Sequence, residues 1–164
     1  ESRMANGIIH VRVDDRMLHG IVATDWVPKS GATRAMVVDT AAPTNDIVRA
    51  SLKMACPTGV SLSVLDPAKA AANIQNGNYA AQKVFVICRY VKWAHELFKA
   101  GVSFEQVNLG NVTQNKGDLT VLDKTVRVSL EEKEMLREMR DAGVKITTRF
   151  RPDDAETDVG RMLD

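Results

Sequence analysis

The sequence predicts an α/β fold: a single-domain, mostly parallel sheet flanked by helices on both faces, with a short antiparallel element near residues 119–128. Two observations carry this. Short Val- and Ile-rich segments alternate with helical patterns along nearly all of the 164 residues, as crossover helices feeding a parallel sheet require. Glycines 31, 59, 77, 101 and 143 each close a helical pattern and precede a strand-like one, the placement of C-cap glycines.

In order, strands are expected at 8–13, 35–38, 60–64, 84–88, 107–109 and 144–147, and helices at 20–29, 44–55, 67–76, 91–100 and 130–142. Asp66-Pro67 marks one helix start, an acidic cap followed by proline in the first turn. Ser129 and Glu132 form a capping box at another, and Met135, Leu136, Met139 and Ala142 then share one face. Residues 119–128 break the rhythm with two β-like pieces and no helix between them, which predicts the antiparallel element. The acidic stretch Asp153-Asp154-Ala155-Glu156, before Val159, Met162 and Leu163, reads as a short terminal helix. There is no repeat or linker, so residues 4–164 form one domain; Glu1-Ser2-Arg3 before Met4 read as a cloning remnant.

Apolar residues make up 45%, charged residues 26%, and the net charge is +1. That balance excludes a disordered tail and argues against a nucleic-acid partner. No apolar run nears the roughly eighteen residues of a membrane span, and no signal-peptide pattern opens the chain. Cys56 and Cys88 read as reduced core thiols, which fits a cytoplasmic protein. With three histidines and neither CxxC nor HExxH, no metal centre is expected.

In open α/β sheets, ligands bind beyond the carboxyl ends of the strands. The first such loop is Asp14-Asp15-Arg16-Met17-Leu18-His19-Gly20. A neutral imidazole is a competent nucleophile near pH 7, its ordinary pKa being about 6.5. A helix starting at Gly20 offers unpaired N–H groups to a phosphate. Arg16 can hold phosphoryl oxygens in a fork, and Asp14 can accept a proton from one ring nitrogen and select the other for attack. The plain structural alternative, a surface ion pair beside a helix-start histidine, stays open on spacing alone.

The run Val11-Arg12-Val13-Asp14-Asp15-Arg16-Met17-Leu18-His19-Gly20-Ile21-Val22, with Trp26 close behind, resembles the signature R-[IV]-D-[DE]-R-L-[IL]-H-G-Q-V. That signature marks IIB components of the mannose/fructose/sorbose family, N-acetylgalactosamine members included, of the bacterial phosphoenolpyruvate:sugar phosphotransferase system. Val107-Asn108-Leu109-Gly110-Asn111-Val112 is similar to that family's V-N-[VL]-G-[GN]-M, and Lys124 to Ser129 to its K-x-V-S-V strand. The resemblance implies that His19 is phosphorylated on Nδ1 by an IIA phosphocarrier domain and passes the group to the 6-hydroxyl of a sugar brought by the membrane components IIC and IID. Asp14 and Arg16 match its site residues. No cofactor is implied, the protein would sit at the inner face of the membrane through IIC and IID, and a homodimer is left open. Ile21 departs from the usual Gln and Val112 from Met; Gly110-Asn111 resembles amino-sugar members.

Gly20, Asn108, Gly110 and Asn111 are expected along the phosphate or substrate loop, though a glycine at 110 can also merely permit a turn. Asp39 and Arg89 also follow strands, Arg89 reading mainly as a solvated strand-end charge that could alternatively help hold phosphate. Trp26 reads as core unless exposed for docking, and His10 and His95 as structural. The rival function is a non-catalytic α/β binding or regulatory domain that kept the fold and lost transfer, with Ile21 its best support. A Rossmann nucleotide enzyme lacks its GxGxxG and P-loop here.

Overall fold

The computed structural model describes residues 5–113 and 117–164; the cloning remnant at 1–3 lies outside them. The strands are β1 (Ile8–Asp14), β2 (Arg34–Val38), β3 (Ser61–Leu65), β4 (Val84–Cys88), β5 (Gln106–Thr113), β6 (Leu119–Asp123), β7 (Val126–Ser129), β8 (Lys145–Thr148) and β9 (Thr157–Asp158). The helices are α1 (Val27–Ser30), α2 (Asp46–Ala55), α3 (Pro67–Gln75), α4 (Val91–Lys99) and α5 (Leu130–Asp141).

The strands run β3-β2-β4-β1-β5 in parallel. β5 is the longest strand, and its two halves take different partners. Its first half pairs with β8, while Val112 and Thr113 pair with β7. Only β6–β7 and β8–β9 are antiparallel among the described pairs. The first is the element expected near 119–128. The second was not expected: the tail forms β9 and a 3-10 turn at Gly160–Leu163 rather than a helix over its acidic stretch.

The local signals hold where they are strongest. Asp66 accepts from the Lys69 N–H at 2.8 Å, and the Ser129–Glu132 capping box closes in both directions. The helix expected from residue 20 differs, being a π-helical stretch at Val22–Trp26 that tightens into α1.

Helices α3, α4 and α5 cover one face of the sheet over Val11, Val13, Val86, Val107, Leu109 and their neighbours. The π stretch, α1 and α2 cover Ala35, Val37, Phe85 and Ile87 on the other. A strand's side chains alternate between faces. On that second face β1 therefore presents His10, Arg12 and Asp14, and Arg12 pairs in register with Asn108 of β5. From β1 the chain turns toward β2, while from β5 it turns toward the opposite edge. The crevice between these diverging loops is where an open sheet binds ligands.

Candidate functional site

The loop after β1 is fastened from below. Asp15 donates its N–H to the Asn111 carbonyl at 2.9 Å, and its carboxylate takes the Asn111 side-chain amide, the Thr113 N–H and the Thr113 hydroxyl. Met17 turns the chain at φ +59, a left-handed conformation that costs a residue with a Cβ on the order of 1 kcal/mol. Its N–H closes the turn on the Asp14 carbonyl, and its side chain is buried. The strain sits at the tip that presents His19.

Asp14, with no exposed surface, is shared by two arginines. Arg12 reaches its Oδ2 through Nε at 3.2 Å and Nη2 at 3.1 Å. Arg16 reaches it through its backbone N–H at 3.0 Å, Nε at 3.1 Å and Nη2 at 3.0 Å. This corrects the role expected for Asp14. It touches no histidine nitrogen; its acceptor positions face the two guanidinium groups, the stronger charge-assisted partners. Two cations and one anion leave the cluster net positive.

Arg16 is held rather than spent. Its guanidinium lies 5.1 Å over the Phe150 ring, and among the described residues Nη1 has no acceptor. Nη1 points toward Gly20, where an added Cβ would stand 3.6 Å from it. Gly20 itself has φ +54 and caps the following stretch by accepting the Ala23 and Thr24 N–H groups. Among the described residues, the N–H groups of Leu18, His19 and Gly20 donate to no acceptor. Three successive amides and a guanidinium nitrogen without acceptors among the described residues are donors from which a cradle for an anion beside the imidazole can be built.

His19 is half-buried, and among the described residues the one hydrogen-bonding contact of its ring is Nε2 to the Ser51 hydroxyl at 3.4 Å. Ser51 lies on α2 with Ile47 and Met54, spaced to share a helix face. Those two are exposed by 83% and 88%, and they flank the open groove that contains His19. Sequence reasoning missed Ser51, which stands thirty-two positions away with no motif around it.

The remaining expected site residues divide. Asn111 belongs to the loop fastening. Asn108 does not line the crevice: it is buried in β5, where Oδ1 accepts from Arg12 Nη1 at 2.7 Å. Gly110 permits no turn either. A Cβ there would lie 2.0 Å from the Arg12 guanidinium carbon, so its bare backbone is the seat of that group. Both halves of Gly110-Asn111 thus have partners within this chain. Asp39 is buried and binds the Ala42 N–H, the Trp93 indole and the partly exposed Arg89. Trp26 is core and donates to the Phe150 carbonyl at 2.8 Å. His95 pairs with Glu138 at 2.9 Å. His10 stacks on both Trp26 and Phe85, and burial pulls its pKa down to about 4. Ile21 packs against the α1–α2 core, so its departure from Gln has a packing reason. Among the described residues, no group of three His, Cys, Asp or Glu could hold a metal, and no helix is long and apolar enough to cross a membrane.

Residues 8–164 match the family model of the sorbose-subfamily IIB component of the phosphotransferase system. The sorbose-specific EIIB component of Lacticaseibacillus casei is 32% identical over 93% of each chain. The mannose-specific EIIAB component of Escherichia coli K12 is 28% identical over 84% of this chain, which spans 42% of that longer protein. The solved IIBSor domain of the Klebsiella pneumoniae sorbose permease superposes with TM-score 0.88 at 26% identity, covering 95% of each chain. The N-acetylgalactosamine-specific IIB component 1 of E. coli gives TM-score 0.84 at 26% identity, over 92% of this chain and 97% of its own.

Proposed function

We propose, for a chain that belongs to the sorbose subfamily of phosphotransferase-system IIB components, that the general role in sugar phosphotransfer is carried out by His19. The supporting observation is the cradle. His19 stands beside Arg16 Nη1 and the amides of residues 18–20, none of which has an acceptor among the described residues, with a net positive cluster beneath. The Ser51 contact at Nε2 leaves Nδ1 as the attacking nitrogen.

In the first step the Nδ1 lone pair attacks the phosphorus of a phosphohistidine on IIA; the donor P–N bond breaks as the new one forms. In the second, the 6-hydroxyl of a hexose or amino sugar presented by IIC and IID attacks the same phosphorus. The His19 P–N bond then breaks, its electron pair returns to Nδ1, and the hydroxyl proton is released. Arg16 and the amides offset charge on the equatorial oxygens, so catalysis is positioning and electrostatics. The exposed Ile47 and Met54 give the docking face around His19. The E. coli mannose relative, an EIIAB protein by name, supports IIA as the donor.

Incubation with phosphoenolpyruvate, enzyme I, the histidine phosphocarrier protein and a related IIA tests this, read by intact mass and acid lability. An acid-labile phosphate is expected on wild type and none on His19→Gln. An adduct on both proteins would place the chemistry on another residue. No adduct on wild type, while a control IIB charges in the same mix, would favour the non-catalytic binding domain.

A further inference from the structure

A guanidinium with no exposed surface stands in the central part of the sheet, and its partners all lead to the loop above it. Beyond Asp14 and Asn108, Arg12 donates through Nη1 to the Arg149 carbonyl at 2.9 Å and through Nη2 to the Phe150 carbonyl at 3.0 Å. It lies 4.7 Å over the Trp26 ring, whose own N–H takes the Phe150 carbonyl as well. Burial lowers its pKa to about 10, so it stays charged at neutral pH. One carboxylate would neutralise it. The two extra carbonyls are bonds to the segment that lays the Phe150 ring under Arg16.

We infer that Arg12, seated on the bare backbone of Gly110, is the positioning residue that sets Arg16 for the phosphoryl group, through Asp14 on one side and Phe150 on the other. Both routes end on the same guanidinium. Through Asp14, Arg12 fixes the carboxylate that takes Arg16 Nε and Nη2. Through the 149–150 carbonyls, it fixes the ring against which that guanidinium lies. Together they leave Nη1 one direction in which to point. A lysine at position 12 keeps a charge for Asp14 but loses the fork that serves both routes.

The inference rests on His19 being the phosphoryl acceptor, so the test charges His19 with phosphoramidate, a small donor that needs no docking. The set is wild type, Arg12→Lys, Arg16→Ala and the double variant, at a temperature where melts show all of them folded. Arg12→Lys is expected to slow charging about tenfold, and the double variant to be no slower than Arg16→Ala, because residues acting through one another are not additive. Effects that multiply, or Arg12→Lys charging at the wild-type rate, would make Arg12 structural only. Phe150→Leu alters a half-buried side chain and no buried charge, so it keeps the cycle measurable if Arg12→Lys does not fold. Its effect on rate should vanish in the Arg16→Ala background, and persistence there overturns the second route. Failure of wild type to charge by phosphoramidate and by IIA would bring down the proposed function and this inference together. Normal wild-type charging with multiplying factors removes the inference alone.

Discussion

The β1–β5 part of the sheet buries different material on its two faces. Against α3, α4 and α5, the strands present Val, Leu, Ile and Met, with Leu97, Leu136 and Met139 closing over them. Against the π stretch and α1, the same β1 presents His10, Arg12 and Asp14, matched by Asn108 and Gly110 of β5. Both faces are well buried, yet they bury different things. The apolar face gains from removing surface from water. The polar face must satisfy each donor and acceptor with another group of the chain, since an unpaired buried charge is costly. Apolar clusters hold the domain together on both faces, and the polar row of β1 and β5 on the second also holds a loop still.

Paired substitutions test that division. Asp14→Asn leaves two guanidinium groups without a counter-charge and should cost about 3–5 kcal/mol, with slower charging of His19 in the fraction that stays folded. Leu97→Ala on the other face should cost about 2–5 kcal/mol and leave charging of the folded fraction unchanged. Urea unfolding with phosphorylation assays reads both, and slowed charging in folded Leu97→Ala would dissolve the contrast. His10 offers a pH test. Its folded value near 4 lies below the ordinary 6.5, so between those values the unfolded chain binds the extra proton. Stability therefore falls as pH drops from about 6.5 to about 4, by up to about 3 kcal/mol. The His10→Gln variant should show a shallower fall, and parallel curves would mean His10 titrates normally in the folded protein. The smallest effect belongs to Ser51→Ala. One neutral hydrogen bond at an exposed hydroxyl is worth roughly two- to tenfold in rate, with no change in melting temperature.

Much of the architecture was legible because its signals are local. Alternation of strand and helix, the Asp66 cap and the Ser129–Glu132 box act within a few residues, and each appears where the sequence places it. β9 was not legible, since two residues carry no periodicity. The π-helical stretch was missed too, because its composition matches that of an ordinary helix. At the site, spacing put Arg16 and His19 together on the loop after the first strand and left their role open. The internal partners of Asp14 were not, although a signal existed. A central strand buried on both sides carries His10, Arg12 and Asp14 at every second position, and such a row demands partners across the sheet. Ser51 and Phe150 reach the loop only through tertiary packing, so no reading along the chain could have placed them there.

The missing side chain at Gly110 also governs how this sequence can change over time. While arginine occupies position 12, a methyl group at 110 has no room, since the guanidinium carbon would stand 2.0 Å away. Once position 12 holds something smaller, the constraint at 110 disappears, but so does the anchor beneath the loop. Descendants can therefore enlarge residue 110 only by displacing the Arg12 guanidinium from its seat or giving it up. Relatives with a side chain at the position of Gly110 should lack a buried arginine opposite it and steady their phosphoryl-loop arginine by other means.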